Sequence, residues 1–289
     1  MPSNKIYVSI NKILKRSIGM KIERVTKKEA RSDELKAEKE YWANMLNQFY
    51  TKYNLKMHPL QSDESVVPPT QMLNKVQYKN HANPDYFFTQ SYYDAFSYFN
   101  TLEKHNVKLG RIDSILDFGV GFGRLLINFF PFSANLFGCD ITPEAVSWSK
   151  EKYSDRATIS LTYSDPPLPY ADSSFDLIYS NAVFIHIPYV KQDQWIAELK
   201  RISRPGGHVL VTYYEPSFYF SDWSRSEIHE KFTKPGWYEL PGENGLNYEA
   251  VNTFIERDVI LQKWSDCFEV IDFIPRFKKH SLLIVRNKE

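Results

Sequence analysis

Glycine is scarce in this chain, at 11 of 289 residues. Glycine gives up more conformational freedom on folding than any other residue, so a chain sparing of it places it where only glycine fits. Cysteine is scarcer, at 2 residues, Cys139 and Cys267. Two thiols are too few for a disulfide scaffold or a zinc cluster, and they fit a reducing compartment, here the cytoplasm. No apolar run approaches the roughly 18 residues of a membrane span. Residues 1–30 scatter Lys and Arg among Ile, Tyr and Val, without an apolar signal core and cleavage site. An excess of one charge is missing too. Lys+Arg 36 against Asp+Glu 35 leave +1, which disfavours a globally basic nucleic-acid binder. There is no internal repeat and no low-complexity tract. A length of 289 residues allows one large α/β domain or two small ones.

What is abundant is aromatic: 6 Trp, 19 Tyr and 20 Phe. Eight of these fall within residues 86–99 and nine within 213–238. The first group has Phe88, Tyr92, Phe96 and Phe99 at helical spacing, which favours packing of a helix on a sheet over the alternative of an aromatic lid that stacks on a ligand. The second has no periodicity and reads as a pocket-lining loop.

Three regions follow one another. Residues 1–110 are polar and helical in tone, 111–215 alternate short apolar runs with amphipathic segments, and 216–289 open on the aromatic loop. Strands are expected at 112–118, 136–141, 158–164, 175–181 and 208–214. Helices fill the gaps at 123–130, at 144–153 behind Thr142 as N-cap and Pro143, and at 190–203. Strands alternating with helices imply parallel βαβ units. A helix at 248–264 and two strands at 268–274 and 281–286 then suggest an antiparallel hairpin at one side of a seven-stranded sheet.

Three of the 11 glycines sit within five positions, in Ile-Leu-Asp-Phe-Gly-Val-Gly-Phe-Gly-Arg at 115–124. A strand enters a glycine turn and a helix leaves it, as in a nucleotide-type cofactor loop. The dinucleotide pattern would place its third glycine at position 124, where this chain has Arg124. Asp117, two residues ahead of Gly119, suits an ammonium-bearing ligand and would repel a pyrophosphate. Asp140, 21 residues after Gly119 at the end of the second strand, is placed to accept hydrogen bonds from both hydroxyls of a ribose.

On these residues the chain resembles the class I S-adenosylmethionine-dependent methyltransferases. Ile115–Arg124 is similar to their first motif and Leu136–Thr142 to the motif after it. Pro167–Asn181 looks like the adenine-side loop and fourth strand, and Glu198–Tyr213 like the helix and fifth strand around Pro205-Gly206-Gly207. Pro68-Pro69 with Leu73 and Val76, Trp148, Val183–His186 and Trp195 also resemble a bacterial branch that acts on glycans or small metabolites, although Val120 and Phe122 stand where that branch usually has Cys and Gly.

The resemblance implies an α/β fold: a Rossmann-like, seven-stranded, mostly parallel sheet with an antiparallel C-terminal hairpin and an N-terminal helical cover. Residues 1–110 would be the cap, and 111–289 the methyltransferase domain with an aromatic insertion at 216–247. The cofactor would be S-adenosyl-L-methionine, leaving S-adenosyl-L-homocysteine. Asp117, Phe118, Gly119, Gly121 and Gly123 would face its methionine part. Asp140 would hold the ribose, Ile141 would pack on the adenine and Asp165 would face the adenine amino group. Ser180 and Asn181 would stand beside the methyl group and the acceptor. Arg124 would lie near the cofactor carboxylate or extend into solvent.

The acceptor side is less defined. His186 is the candidate general base, or else a helix-capping His. Tyr86, Tyr214 and Glu215 are candidate substrate contacts. The remaining histidines show no metal-ligand spacing. Asp165-Pro166-Pro167 mimics the acceptor clamp of base methyltransferases, but it precedes the fourth strand, so it reads as a proline-stiffened loop. The basic first 28 residues fit a solvated N-terminus or an anionic-partner patch.

The expected activity is methylation of a small-molecule acceptor, at oxygen, on a sugar or specialised metabolite. No nucleic-acid partner and no membrane span are expected, and self-association stays open. Alternatives are a non-catalytic cofactor-binding scaffold, an N-methyltransferase of a small amine, and a nicotinamide-dependent oxidoreductase. The last is disfavoured by Arg124 and Asp117.

Overall fold

Short apolar runs that end in turn residues fold here as buried parallel strands, because both of their faces are covered. The computed structural model describes residues 27–72, 83–216, 236–241, 251–277 and 280–288. The chain divides into two compact units, residues 1–38 and 39–289. Of the first, residues 27–38 are described, and they are helical.

Helix α1 spans Lys27–Thr51 and α2 spans Pro84–Lys104. Strand β1 (Ser114–Phe118) follows, then β2 (Asn135–Asp140), α3 (Pro143–Tyr153), β3 (Ala157–Leu161) and β4 (Phe175–Ser180). Helix α4 (Gln192–Ile202) leads into β5 (Ser203–Tyr213). Strands β6 (Trp237–Pro241) and β7 (Val251–Ile255), helix α5 (Arg257–Ser265), and strands β8 (Phe268–Phe277) and β9 (His280–Asn287) complete the described elements.

Seven strands form one sheet in the order β3-β2-β1-β4-β5-β9-β8. Strands β1 to β5 pair in parallel, and β9 runs antiparallel between β5 and β8. This is the expected Rossmann-like sheet with its antiparallel hairpin. Successive residues of each strand point to opposite faces, so the sheet has two cores. On one face Ile115, Leu177, Tyr179, Leu210 and Ile284 pack with Leu46 and Phe49 of α1, Phe88 and Phe99 of α2, and Tyr153 of α3. On the other, Leu116, Ile178, Val209, Val211 and Val285 pack with Trp195 and Leu199 of α4 and Trp264 of α5.

Helix α2 behaves as its spacing predicts. Asn83 caps it by accepting from the Asp85 N–H at 2.8 Å, Pro84 opens it, and Phe87, Phe88, Tyr92, Tyr98, Phe99 and Leu102 are all buried. Each such side chain contributes roughly 1.5–3 kcal/mol over its exposed state.

Three expected elements change. The helix expected over 248–264 is a strand followed by a shorter helix. Val251, Phe254 and Ile255 repeat at helical spacing, but this β-branched stretch pairs with β6 and closes a separate two-stranded sheet. The helix expected over 123–130 is a 3₁₀ turn, Leu126–Phe129, stopped by Pro131. The third strand ends at Leu161, three residues before its expected end at Ser164, so Asp165 stands four residues beyond it rather than at its tip. Of the aromatic stretch 213–238, residues 217–235 lie outside the described residues, as do most of the 216–247 insertion, the basic N-terminus through residue 26, and Leu73 and Val76.

Candidate functional site

The site grows from the carboxyl end of β1. The N–H groups of Gly119 and Val120 both donate to the Cys139 carbonyl, at 2.8 and 3.0 Å, which folds the glycine loop over the end of β2. Asp140 then ties the loop down: Oδ2 accepts from the Gly121 N–H and Oδ1 from the Thr142 N–H, each at 2.8 Å. Each carboxylate oxygen keeps a second lone pair for a ligand. Helix α3 supports the loop from behind, where Ser149 Oγ donates to the Gly121 carbonyl at 2.9 Å and Tyr153 Oη to the Phe122 carbonyl at 3.0 Å.

Two glycines are required by geometry. Gly119 has φ of +87°, and a Cβ there would stand 2.1 Å from Val183 Cγ2. Gly123 has φ of +74°, and its Cβ would stand 2.3 Å from Tyr153 Cε2. The loop is therefore pressed between the β4 exit and α3. Phe118 turns away from it, its ring 4.9 Å from that of Trp195.

Asp117 is buried beneath the loop and accepts from Tyr179 Oη at 2.9 Å. Burial pushes its carboxyl pKa up to about 8. The Tyr179 hydrogen bond opposes that rise, the Asp140 charge adds to it, and Arg124 lowers it again. Arg124 does not reach into solvent. Its guanidinium pairs with Asp94 Oδ2 at 2.8 Å, and only 18% of its side chain is exposed. Ser91 Oγ, also on α2, donates to the Arg124 carbonyl at 2.6 Å.

Beside Asp117, Tyr98 Oη makes a long hydrogen bond of 3.5 Å to Asn181 Oδ1. Ser180, at the end of β4, is fully buried, and its hydroxyl has no partner among the described residues. Tyr86 is half-buried in the first turn of α2, close enough to Arg124 to act on it electrostatically. Helix α2 thus places Ser91 and Asp94 on Arg124 and Tyr98 on Asn181, which the packing reading of residues 86–99 missed. The signal was present: three polar-tipped residues at i, i+3 and i+7 on one face of an aromatic helix.

Ile141 leaves β2 with 37% of its surface open, a large value for isoleucine, and Tyr163 just past β3 is 76% exposed. Asp165 sits on the surface beyond them. It pairs with Lys191 Nζ at 2.7 Å and accepts from Ser164 Oγ at 3.0 Å, which holds its carboxyl below the usual range.

The other candidates gather around β7. His186 lies in a 3₁₀ turn, Phe184–His186, and its Nδ1 is 3.0 Å from the Val251 carbonyl. A carbonyl only accepts, so Nδ1 carries the proton and Nε2 is left as the basic nitrogen. Burial lowers the pKa of His186 and keeps it neutral. Tyr214 stacks on Phe254 of β7, centroids 5.0 Å apart at 18°, and Glu215 Oε2 accepts from Ser281 Oγ at 2.7 Å. Strand β7 is therefore the element that joins His186 to Tyr214.

Among the described residues no three His, Cys, Asp or Glu side chains could hold a metal ion. The donor set fits S-adenosylmethionine: two acidic side chains at a glycine loop, an open isoleucine after the second, and a buried hydroxyl at the β4 end without a partner among the described residues.

Comparison with known proteins agrees. Residues 116–211 match the family described as "Methyltransferase domain". The chain is 28% identical over 155 residues to the sterol 4-C-methyltransferase strm-1 of Caenorhabditis elegans, covering 52% of this chain and 43% of that protein. It is 26% identical over 152 residues to a malonyl-[acyl-carrier protein] O-methyltransferase of Paenibacillus sp., covering 49% and 52%. The chain thus spans about half the length of these curated relatives. Among solved structures, a putative S-adenosylmethionine-dependent methyltransferase from Listeria monocytogenes superposes with a TM-score of 0.52 at 14% identity, covering 68% of this chain and 99% of that one. A Burkholderia thailandensis 1,6-didemethyltoxoflavin-N1-methyltransferase, solved with its substrate and S-adenosylhomocysteine, superposes at 0.50 and 15% identity, covering 68% and 81%. Residues 116–211 are thus similar to a methyltransferase domain, and the sheet has the fold of these solved S-adenosylmethionine-dependent methyltransferases.

Proposed function

We propose that this chain transfers a methyl group from S-adenosylmethionine to an oxygen of a small molecule, a sugar or specialised metabolite. One observation carries the donor half: Asp140 clamps the glycine loop through two backbone N–H groups while Ile141 beside it stays open. That arrangement offers carboxylate lone pairs to a ribose diol next to an apolar surface for a flat base. Asp117 and the loop backbone would face the methionine part, with Arg124, held by Asp94, near its carboxylate. Asp165, on the rim, would receive the adenine amino group.

When bound, the cofactor supplies an electrophilic methyl group on a sulfonium. The chain's work is placement. Holding an acceptor oxygen about 3 Å from that carbon supplies much of the rate. Ser180, Asn181 and Tyr98 offer polar contacts there, and Tyr86, Tyr214 and Glu215 line the acceptor's approach. His186 Nε2 takes the acceptor proton where the acceptor's pKa is high. In this reading residues 1–110 are the cap and 111–289 the catalytic domain. Both cysteines are free, in keeping with a cytoplasmic enzyme.

Calorimetry with S-adenosylmethionine and S-adenosylhomocysteine tests the donor half. Binding tighter than about 1 mM is expected, weakened at least tenfold in Asp140→Ala. No binding of either ligand, or unchanged affinity in that variant, refutes it. The acceptor half is tested with labelled cofactor and a panel of hydroxylated acceptors, where His186→Ala should lower kcat with little change in KM.

A further inference from the structure

A cavity of about 510 Å³ opens at the opposite end of the sheet, lined by Tyr53, His58, Gly110, Phe130, Phe132 and Arg156 among others. Gly110 precedes β1, Phe130 and Phe132 precede β2, and Arg156 precedes β3, so the cavity lies at the amino ends of these strands. The glycine loop lies at their carboxyl ends. Strand β1, five residues long, separates the two by roughly 16 Å.

The cavity carries a cation, Arg156, that forms no ion pair among the described residues, although the nearby Asp155 acts electrostatically on His58. Arg156 is half-buried; it donates through Nη2 to the Phe130 carbonyl and lies 5.7 Å over the Phe130 ring. Its Nε is buried without a hydrogen-bond partner, and among the described residues no carboxylate pairs with its guanidinium. A guanidinium taken partly out of water without a counter-ion is costly unless something else supplies the charge.

His58 adds a second donor. Its Nδ1 accepts from the Leu60 N–H at 3.3 Å, so the neutral ring carries its proton on Nε2. Its ring meets Phe130 edge-on at 5.4 Å. The turn that holds it is anchored inside the protein. Gln61 Nε2 donates to Tyr50 Oη at 2.9 Å and to Asn128 Oδ1 at 3.0 Å, and the Gln61 carbonyl accepts from Tyr92 Oη at 2.5 Å. Tyr53 and Phe132 complete an aromatic wall, with ring centroids 5.7 Å apart.

We propose that this cavity is a second ligand site, separate from methyl transfer, that binds a small aromatic anion: a carboxylate or phosphate on Arg156 and His58, with its ring against Tyr53, Phe130 and Phe132. The guanidinium fork matches either anion in two parallel hydrogen bonds, and the volume suits a ligand of one or two rings.

The test titrates benzoate, phenyl phosphate and benzyl alcohol into the full-length chain by calorimetry. One anion should saturate at one site with Kd below about 1 mM, and benzyl alcohol should bind at least tenfold more weakly. The tighter of the two anions identifies the ligand as carboxylate or phosphate. Arg156→Gln should weaken that anion at least tenfold while S-adenosylhomocysteine affinity stays at the wild-type value. Should that variant misfold, Arg156→Lys, which keeps the charge and loses the fork, should show an intermediate loss. Amide shifts in the wild type should centre on Gly110, Phe132 and Ser133. The proposal is overturned if neither anion saturates by about 10 mM, if benzyl alcohol binds as tightly, or if Arg156→Gln leaves affinity unchanged. It is also overturned if saturating S-adenosylhomocysteine displaces the anion, which would place it at the glycine loop.

Discussion

Asp117 owes its properties to where the strand buries it. The carboxyl sits under the loop with one hydrogen bond from Tyr179, and burial holds its pKa near 8 against an ordinary 3.8. The folded state therefore binds a proton that the unfolded chain has released between those values. By linkage, this group's contribution to stability is greatest below about pH 4 and falls as pH rises towards 8, by at most ~1.4 kcal/mol per pH unit. Denaturant midpoints of the ligand-free protein should show that fall between pH 5 and 8, and Asp117→Asn should flatten it. At Gly119, positive φ and the 2.1 Å approach to Val183 both act against a side chain. Gly119→Ala should lose about 2–4 kcal/mol in equilibrium unfolding, and Val183→Ala should recover the part due to overlap but not the part due to φ.

Elements decide how much of this was readable. The five parallel strands, the hairpin and α2 followed from short apolar runs, turn residues and aromatic spacing. Asp117 and the three glycines followed from one loop, and Asp140 from the end of the next strand, 21 residues after Gly119. The partners across the site did not. Asp94 meets Arg124 over a gap of thirty positions, and nothing local in either stretch points to the other. Strand β7 was hidden because Val251, Phe254 and Ile255 satisfy a helical period as well as a strand, and only pairing with β6 decides between them. With β7 read as helix, the link from His186 to Val251 was invisible. The Asp94–Arg124 pair has a measurable signature. Asp94→Ala leaves a buried guanidinium uncompensated and should cost about 3–5 kcal/mol, whereas Asp94→Ala with Arg124→Met should cost less than the single change. Chemical denaturation of the wild type and these two variants decides it.

At the scale of the whole molecule the C-terminus is structural. Strand β9 fills the sheet between β5 and β8, and its Leu282, Leu283, Ile284 and Val285 are all buried. Removing residues 267–289 would strip β5 of its neighbour and expose a long apolar edge. The truncated chain should be less soluble than the full 289-residue chain, or elute as a larger species by size exclusion. The sheet also keeps its two ends apart, with the glycine loop at one and the Arg156 cavity at the other.

The clamp that Asp140 makes on Gly121 and Thr142 bears on how such a protein can change its trade. In the proposed reading the donor side is fixed by backbone contacts between two short segments, 119–123 and 139–142, so it tolerates little drift. In that same reading the acceptor side is assembled from α2 and β7, which lie apart from those segments in sequence. A redesign that exchanges side chains on those two elements, keeping Asp94 to hold Arg124, would retarget the acceptor while inheriting the donor machinery unaltered.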